Sequence, residues 1–487
     1  MASKSTIRSE HDPLPFGTNP LFLEHCFSPA ITIAAGPVNK AYIKTFGCQM
    51  NEQDSAQMLS LLSQAGYEKT VDPFDAGLVL LNTCSIREKA VHKLYSDLGR
   101  LRPLKDEDPD LVIAVAGCVA EQEKAKLQQR FPYLDLVFGP DHIRHLPQML
   151  SEVKEERRKG QEGEAKAKRV LRTGFEKRQD FEFVNVLPKE EETPAKAFVN
   201  IQKGCDNICS FCIVPFVRGR EVSRPHQEII DEINGLVERG VQEVMLLGQN
   251  VNSYGLKNTG DITFAELLQE VADKTKLKRL RFTTSHPKDV KDDLIDQFAN
   301  NPILLPQFHL PFQSGSDRIL KLMRRQYTRE QYMHIVNELK RRVPDIRFST
   351  DIIVGFPTET DDDFEQTLTL MKEVGFDSSF SFIYSPRPYT SAVKIEDDVP
   401  QKVKAKRLQV LQDLDREICF EKNKAEVGRV EDVLIEDIYE QSENTLKGRT
   451  PHNKIVHFDA PGRTIGQIVP VKITKANPYS LFGEFAA

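Results

Sequence analysis

With 487 residues, 39% of them hydrophobic and 28% charged, the chain is long enough for roughly two to four domains with buried cores. A net charge of −6 excludes a whole-surface attraction to nucleic acid and leaves only local basic patches for that purpose. Eight cysteines, no apolar leader and no apolar run of membrane-span length argue against a disulfide framework and a membrane association, and point to the cytoplasm.

Residues 1–39 carry scattered apolar residues and several prolines without a sustained period, so they read as an extension in which Cys26 is an ordinary thiol. From residue 40 to about 150, "AYIKTF", "GLVLLN" and "LVIAVAG" are near-continuous apolar runs separated by helix-length segments. Such runs read as buried parallel strands of an open α/β domain. Met58, Leu61, Leu62 and Ala65 have the spacing of one buried helical face, with Asn51 as its N-cap. Each of the three strands is followed at once by a cysteine: Cys48, Cys84 and Cys118. Loops at the carboxyl ends of parallel strands gather at one edge, so these thiols are expected to be neighbours. The bland alternative is three buried small hydrophobes.

Residues 151–195 are charge-dense and poor in large apolar groups, which predicts a linker or a mobile hairpin whose first part is a solvated helix. From 196 to 420, strands are expected at "AFVNIQKG", "EVMLLG", "RLRFTT", "PQFHLP", "IRFSTDIIVG" and "SSFSFIY", with helical segments between them. Six such units predict a full or partial parallel (β/α) barrel with its site at the strands' C-terminal face. Residues 421–487 alternate β-type runs with glycine turns and predict a small β-barrel.

Just after the first barrel strand, "GCDNICSFC" sets Cys205, Cys209 and Cys212 four and then three positions apart. Three chemistries compete for it. A zinc site would need a distant histidine. A redox pair of Cys209 and Cys212 would leave Cys205 without a role. A four-iron cluster held by three thiolates would leave one iron open.

The CxxxCxxC spacing, with Phe211 directly before the last cysteine, resembles the radical S-adenosylmethionine superfamily. That resemblance implies a [4Fe–4S] cluster on Cys205, Cys209 and Cys212, with S-adenosylmethionine on its open iron and reductive cleavage of the sulfonium to a 5′-deoxyadenosyl radical. It further implies cofactor contacts from Gly248, Gln249 and Asn250 after the second strand, from Gln313, Ser314, Gly315 and Ser316 after the fourth, and from Gly355 after the fifth. Glycine-rich turns at strand ends are also simply turns.

Two cysteine triads, in the order α/β domain, barrel and small β-barrel, resemble the methylthiotransferases from about residue 40 onward. In that family the first triad, here Cys48, Cys84 and Cys118, holds a second [4Fe–4S] cluster that carries the sulfur to be inserted. The tail segments "KGRTPHNKIVHF" and "NPYSLFGE" look like the tRNA-binding TRAM domain, which implies phosphate contacts from Lys447, Arg449, Asn453 and Lys454. In the barrel, Arg218, Arg220, Arg224, Arg324 and Arg325, with Lys321 and Arg329, are further candidates, although charge clusters are usually solvated faces.

Within the family, "GCQMNE", "NTCSIREKA" and "GQNVNSYG" match the type acting on isopentenyl-adenosine beside the tRNA anticodon, and Arg387 and Pro388 depart from the ribosomal-protein type. The threonylcarbamoyl-adenosine type and a non-catalytic iron-sulfur tRNA-binding protein are the alternatives. Tyr389 stands where the family usually has glycine. The resemblance implies a flavodoxin or ferredoxin as reductant and sulfur-donor or iron-sulfur assembly proteins as partners. No protein general base is assigned.

Overall fold

Apolar runs with helix-length spacers bury both faces of a sheet only if helices cover them, and the chain folds accordingly. The computed structural model describes residues 40–85, 88–162, 168–177, 181–185, 187, 193–256, 262–439 and 445–486. The expected extension, with Cys26, lies outside the described residues.

The first domain is a parallel sheet of β1 (Lys40–Phe46), β2 (Glu68–Lys69), β3 (Leu78–Thr83), β4 (Val112–Ala116), β5 (Leu136–Phe138) and β6 (Val170–Arg172), ordered β2-β1-β3-β4-β5-β6. Its helices are α1 (Gln49–Gln64), α2 (Glu88–Glu107), α3 (Cys118–Glu123), α4 (Ala125–Arg130) and α5 (Leu146–Gln161). The pleat divides each strand between two cores. Val79 and Leu81 pack on one face with Ile113 and Val115, while Leu78 and Leu80 pack on the other with Val112 and Ala114. The sequence reading differs at two points. Asn51 is not the N-cap, because α1 starts earlier, with Cys48 at that position. Ala65, at the helix end, is exposed. The segment expected as a linker supplies β6, a run of three residues, too short to show a period, that pairs with β5.

The second domain contains β7 (Lys196–Asn200), β8 (Gln202–Lys203), β9 (Val222–Ser223), β10 (Glu243–Leu247), β11 (Arg279–Phe282), β12 (Gln307–His309), β13 (Arg347–Val354) and β14 (Ser378–Ile383). Around them lie α6 (Val214–Val217), α7 (His226–Glu238), α8 (Phe264–Lys274), α9 (Asp292–Asn300), α10 (Asp317–Leu322), α11 (Arg329–Arg342), α12 (Asp361–Val374) and α13 (Gln401–Lys424). The parallel sheets β7-β10-β11 and β12-β13-β14 are joined through a bridge between Leu280 and Leu304. The six parallel strands therefore make a partial barrel around one large apolar core.

The tail closes a separate barrel, β15-β16-β17-β19-β18, from β15 (Val430–Ile438), β16 (Thr445–Arg449), β17 (Ile455–Asp459), β18 (Ile468–Ala476) and β19 (Leu481–Phe485). It docks at the N-terminal ends of the central strands, opposite their C-terminal loops. There Arg279 donates to Asp432 O and Arg449 O, Arg281 donates to Thr450 O, and Lys196 pairs with Glu436.

Candidate functional site

Cys48, Cys84 and Cys118 follow β1, β3 and β4, three adjacent parallel strands, so the sheet order brings the first triad to one edge. The approach of the first two loops is close. Cys84 N donates to Phe46 O at 3.0 Å, and a Cβ on Gly47 would run into the Cys84 side chain. Buried Asn51 and Asn82 bind each other under these loops, with Asn51 Nδ2 donating to Asn82 Oδ1 at 3.1 Å.

This edge faces the barrel. Cys48 and Met50 pack with Met245, Leu247 and Phe198, while Cys118 packs with Ile213 and Val217 beside α6. Two buried ion pairs cross the junction, Arg218 to Asp54 at 2.5 Å and Lys203 to Asp141 at 2.5 Å. A hydrogen bond with Cys84 lowers the Cys48 thiol to about 6 against the opposing effect of burial, with Arg218 assisting. Burial raises the Cys118 thiol, and the Arg218 charge works against that rise.

Cys205, Cys209 and Cys212 lie on the loop after β7 and β8, with Cys212 N donating to Cys209 O at 3.1 Å. Burial pushes the Cys205 thiol up to about 11 and Cys212 up to about 12, the neighbouring cysteines adding to both. Buried Arg325 reaches this triad, its Nη1 3.6 Å from Cys209 Sγ. Ser210 ties the loop down, accepting from Ala392 N and donating to Met323 O and, through its hydroxyl, to Leu322 O. Phe211 packs among Ile319, Met323, Phe356, Tyr384 and Ala392.

All six cysteines are free of disulfides. Among the described residues, no group of three or more His, Cys, Asp and Glu is set to hold a single metal ion. The donor chemistry of each triad is instead three thiols beside one buried guanidinium. That set fits an anionic group carried on thiolates.

At the C-terminal ends of β7, β10 and β11, five buried polar atoms have no hydrogen-bond partner among the described residues. They are Asn200 Oδ1, Gln202 Oε1, Gln249 Nε2, Asn250 Oδ1 and Ser285 Oγ. Buried polar atoms are seldom left so, and this end of the barrel therefore suits a polar ligand. Gln249 holds the cysteine loop through Gly204 N, and Asn250 donates to Asp289. Asn200, Gln202 and Ser285 were missed in the sequence, although each lies at a strand end, where ligands bind. His286, next along, is held well below its ordinary range by burial, with Arg325 and Lys288 adding to the effect.

The other expected contacts also take part in the packing of the fold. Ser316 caps α10 and donates to Asp363, and Gly315 N donates to Thr367, with no room for a Cβ against α12. Ser314 is buried, and Gln313, at φ 66°, bridges to β13. Gly355, at φ 68°, leaves room for Lys404 of α13 and donates to Glu359.

Most of the expected phosphate contacts are buried or paired within the fold. Arg218, Arg224, Arg325 and Arg449 are buried. Arg218 pairs with Asp54, Arg224 with Glu232 and Arg449 with Glu436, while Arg325 faces Cys209. Lys454 pairs with Asp377 at the domain junction, and half-buried Asn453 accepts from Arg449. Charges neutralised in this way are not free to meet phosphates. Arg220 stays exposed although it pairs with Asp206 at 3.5 Å, Arg324 is exposed and Lys447 half-buried. Tyr389 adopts φ 71°, the left-handed region that favours glycine, and lies against the Phe216 ring at 5.8 Å.

Residues 40–139 match the Uncharacterized protein family UPF0004, residues 199–371 the Radical SAM superfamily, and residues 424–486 the TRAM domain. Over 454 residues the chain is 47% identical to a tRNA-2-methylthio-N(6)-dimethylallyladenosine synthase of Paraburkholderia xenovorans (strain LB400), covering 91% of this chain and 96% of that relative. It is 48% identical, with the same coverage, to a protein of the same name from Burkholderia cenocepacia (strain HI2424). A solved radical S-adenosylmethionine methyltransferase, TsrM from Kitasatospora setae, aligns with a TM-score of 0.53 at 15% identity, covering 73% of this chain and 75% of that one, a likeness of fold.

Proposed function

The chain belongs to the radical S-adenosylmethionine methylthiotransferases, in the family of the tRNA-2-methylthio-N(6)-dimethylallyladenosine synthases, and from that premise we propose how its two triads divide the work. The family activity is methylthio transfer to isopentenyl-adenosine in tRNA, with S-adenosylmethionine and a [4Fe–4S] cluster as cofactors. In our reading Cys205, Cys209 and Cys212 hold that cluster, and Cys48, Cys84 and Cys118 hold a second one. When bound, these groups supply reductive cleavage of S-adenosylmethionine and a reservoir of sulfur.

The protein's own residues do the rest. Arg325 and Arg218 place positive charge against the two sets of thiolates. Gln249 secures the cysteine loop through Gly204, and the unpartnered groups of Asn200, Gln202, Asn250 and Ser285 orient the polar parts of S-adenosylmethionine. Arg220, Arg324 and Lys447 are the phosphate contacts left to the tRNA, whose target base leaves its stack to reach the site. A flavodoxin or ferredoxin supplies electrons, and sulfur-donor or iron-sulfur assembly proteins restore the second cluster. No helix among the described residues is long and apolar enough to cross a membrane; the cytoplasm, where tRNA is matured, is the proposed location.

The observation that carries this reading is the packing of Cys118 on Ile213, which brings the two triads to one domain junction. Mass spectrometry of tRNA nucleosides after anaerobic incubation with reconstituted protein, reductant and S-adenosylmethionine tests it. Methylthiolation is expected on isopentenylated tRNA and to fall strongly on tRNA with unmodified adenosine, because a buried five-carbon chain is worth a few kcal/mol at about 25 cal/mol per Å². Turnover only of threonylcarbamoyl-adenosine tRNA would overturn the substrate.

A further inference from the structure

Arg218 is the sixth residue after Cys212, yet its side chain belongs to the other triad. Cys212 leads into Ile213 and the short α6, which packs on Cys118, and the chain then delivers the Arg218 guanidinium across the domain junction. There Nη2 meets Asp54 Oδ2 at 2.5 Å, with side-chain exposures of 7% and 4%. Asp54 lies on α1, the sixth residue after Cys48. Cys48 and Cys118 both lie within electrostatic reach of Arg218. Burial opposes the guanidinium charge, but Asp54 and the two thiols outweigh it and keep Arg218 firmly charged.

A buried ion pair adds little to stability, because desolvating both charges offsets their attraction. The junction already has a second such pair, Lys203 with Asp141. Stability alone therefore gives a weak reason for a guanidinium at this point, whereas thiolates carrying an anionic group give a strong one.

We propose that Arg218 is a positioning residue for the first triad, held by Asp54 so that its positive charge favours the reduced state of the group bound by Cys48, Cys84 and Cys118. The loop that carries the second triad thus also sets the electrostatics of the first. This inference rests on the reading that the first triad holds an iron-sulfur cluster.

The test uses the full-length chain with Cys205, Cys209 and Cys212 replaced by alanine, so that bound iron and its paramagnetic signal report the first triad alone. After anaerobic reconstitution, a redox titration followed by electron paramagnetic resonance gives the midpoint. Arg218→Gln removes a positive charge and is expected to shift the reduction equilibrium at least tenfold toward the oxidised state, which is 59 mV lower for one electron. Arg218→Lys should restore most of the shift, and Asp54→Asn should move the midpoint the opposite way. Unchanged midpoints in Arg218→Gln and Asp54→Asn at full iron content, or shifts of the same sign, would overturn the proposal. If Arg218→Gln takes up no iron, Asp54→Asn decides by itself: a raised midpoint supports the proposal and an unchanged one defeats it. Failure of the unsubstituted triad to bind iron would instead defeat the underlying reading.

Discussion

Cys118 of the first triad packs against Ile213, the residue that directly follows Cys212 of the second. One peptide unit and one van der Waals contact therefore connect two groups of thiols that come from different domains.

Ile213→Ala should open a cavity between the triads and cost about 2–5 kcal/mol. In the proposed division of work, transfer of the methylthio group needs both triads in register, whereas cleavage of S-adenosylmethionine needs only the second. Product formation on tRNA is therefore expected to fall more than formation of 5′-deoxyadenosine. Equal losses of the two products, quantified in the same reaction, would disconnect the contact from transfer.

Single cysteine replacements should separate the metal content. With a four-iron cube on each triad, as proposed, reconstituted protein is expected to carry about eight irons, and Cys84→Ala or Cys209→Ala about four each. Cys209→Ala should abolish cleavage of S-adenosylmethionine, while Cys84→Ala keeps it and stops methylthiolation. Zinc in place of iron would sink both assignments.

The docking of the tail barrel depends on a buried charge cluster. Arg281 and Glu243, both fully buried, pair at 2.9 Å, and Arg281 also donates to Thr450 O. Among the described residues, Arg281→Met leaves Glu243 with only Arg279, at 4.0 Å, as an ion-pair partner and should destabilise the chain by about 3 kcal/mol. Denaturant unfolding measures this, and a midpoint unchanged from the parent would count against the cluster. For the same reason, truncating the tail uncovers Arg281 and Glu243, so a deletion would disturb the central domain as well as tRNA binding.

Asp415 makes stability depend on pH. Burial raises its carboxyl to about 6, opposed by hydrogen bonds from Ser379 and Cys419. Between about pH 4 and pH 6 the native chain keeps a proton that the unfolded chain has released, so this group's contribution falls as pH rises through that window. At about 1.4 kcal/mol per unit the loss approaches 3 kcal/mol by neutral pH. Asp415→Asn should remove that slope, giving a stability difference from the parent that grows from pH 4 to pH 6 and then levels off. A difference independent of pH would refute the assignment.

Much of the architecture was legible because it is local. Continuous apolar runs such as Leu78–Leu81 have to be buried on both faces, so the parallel strands and the cysteines at their ends could be read directly. The three-residue β6 could not, since a run that short has no period and becomes a strand only by pairing with β5. The spacing of Cys205, Cys209 and Cys212 was visible because the three lie within one loop. Arg218 and Arg325 looked like surface charges, for their partners Asp54 and Cys209 lie 164 and 116 residues away. A guanidinium is the same in sequence whether it meets a phosphate or a buried thiol, and only the docking of distant segments decides its dielectric surroundings and its partner.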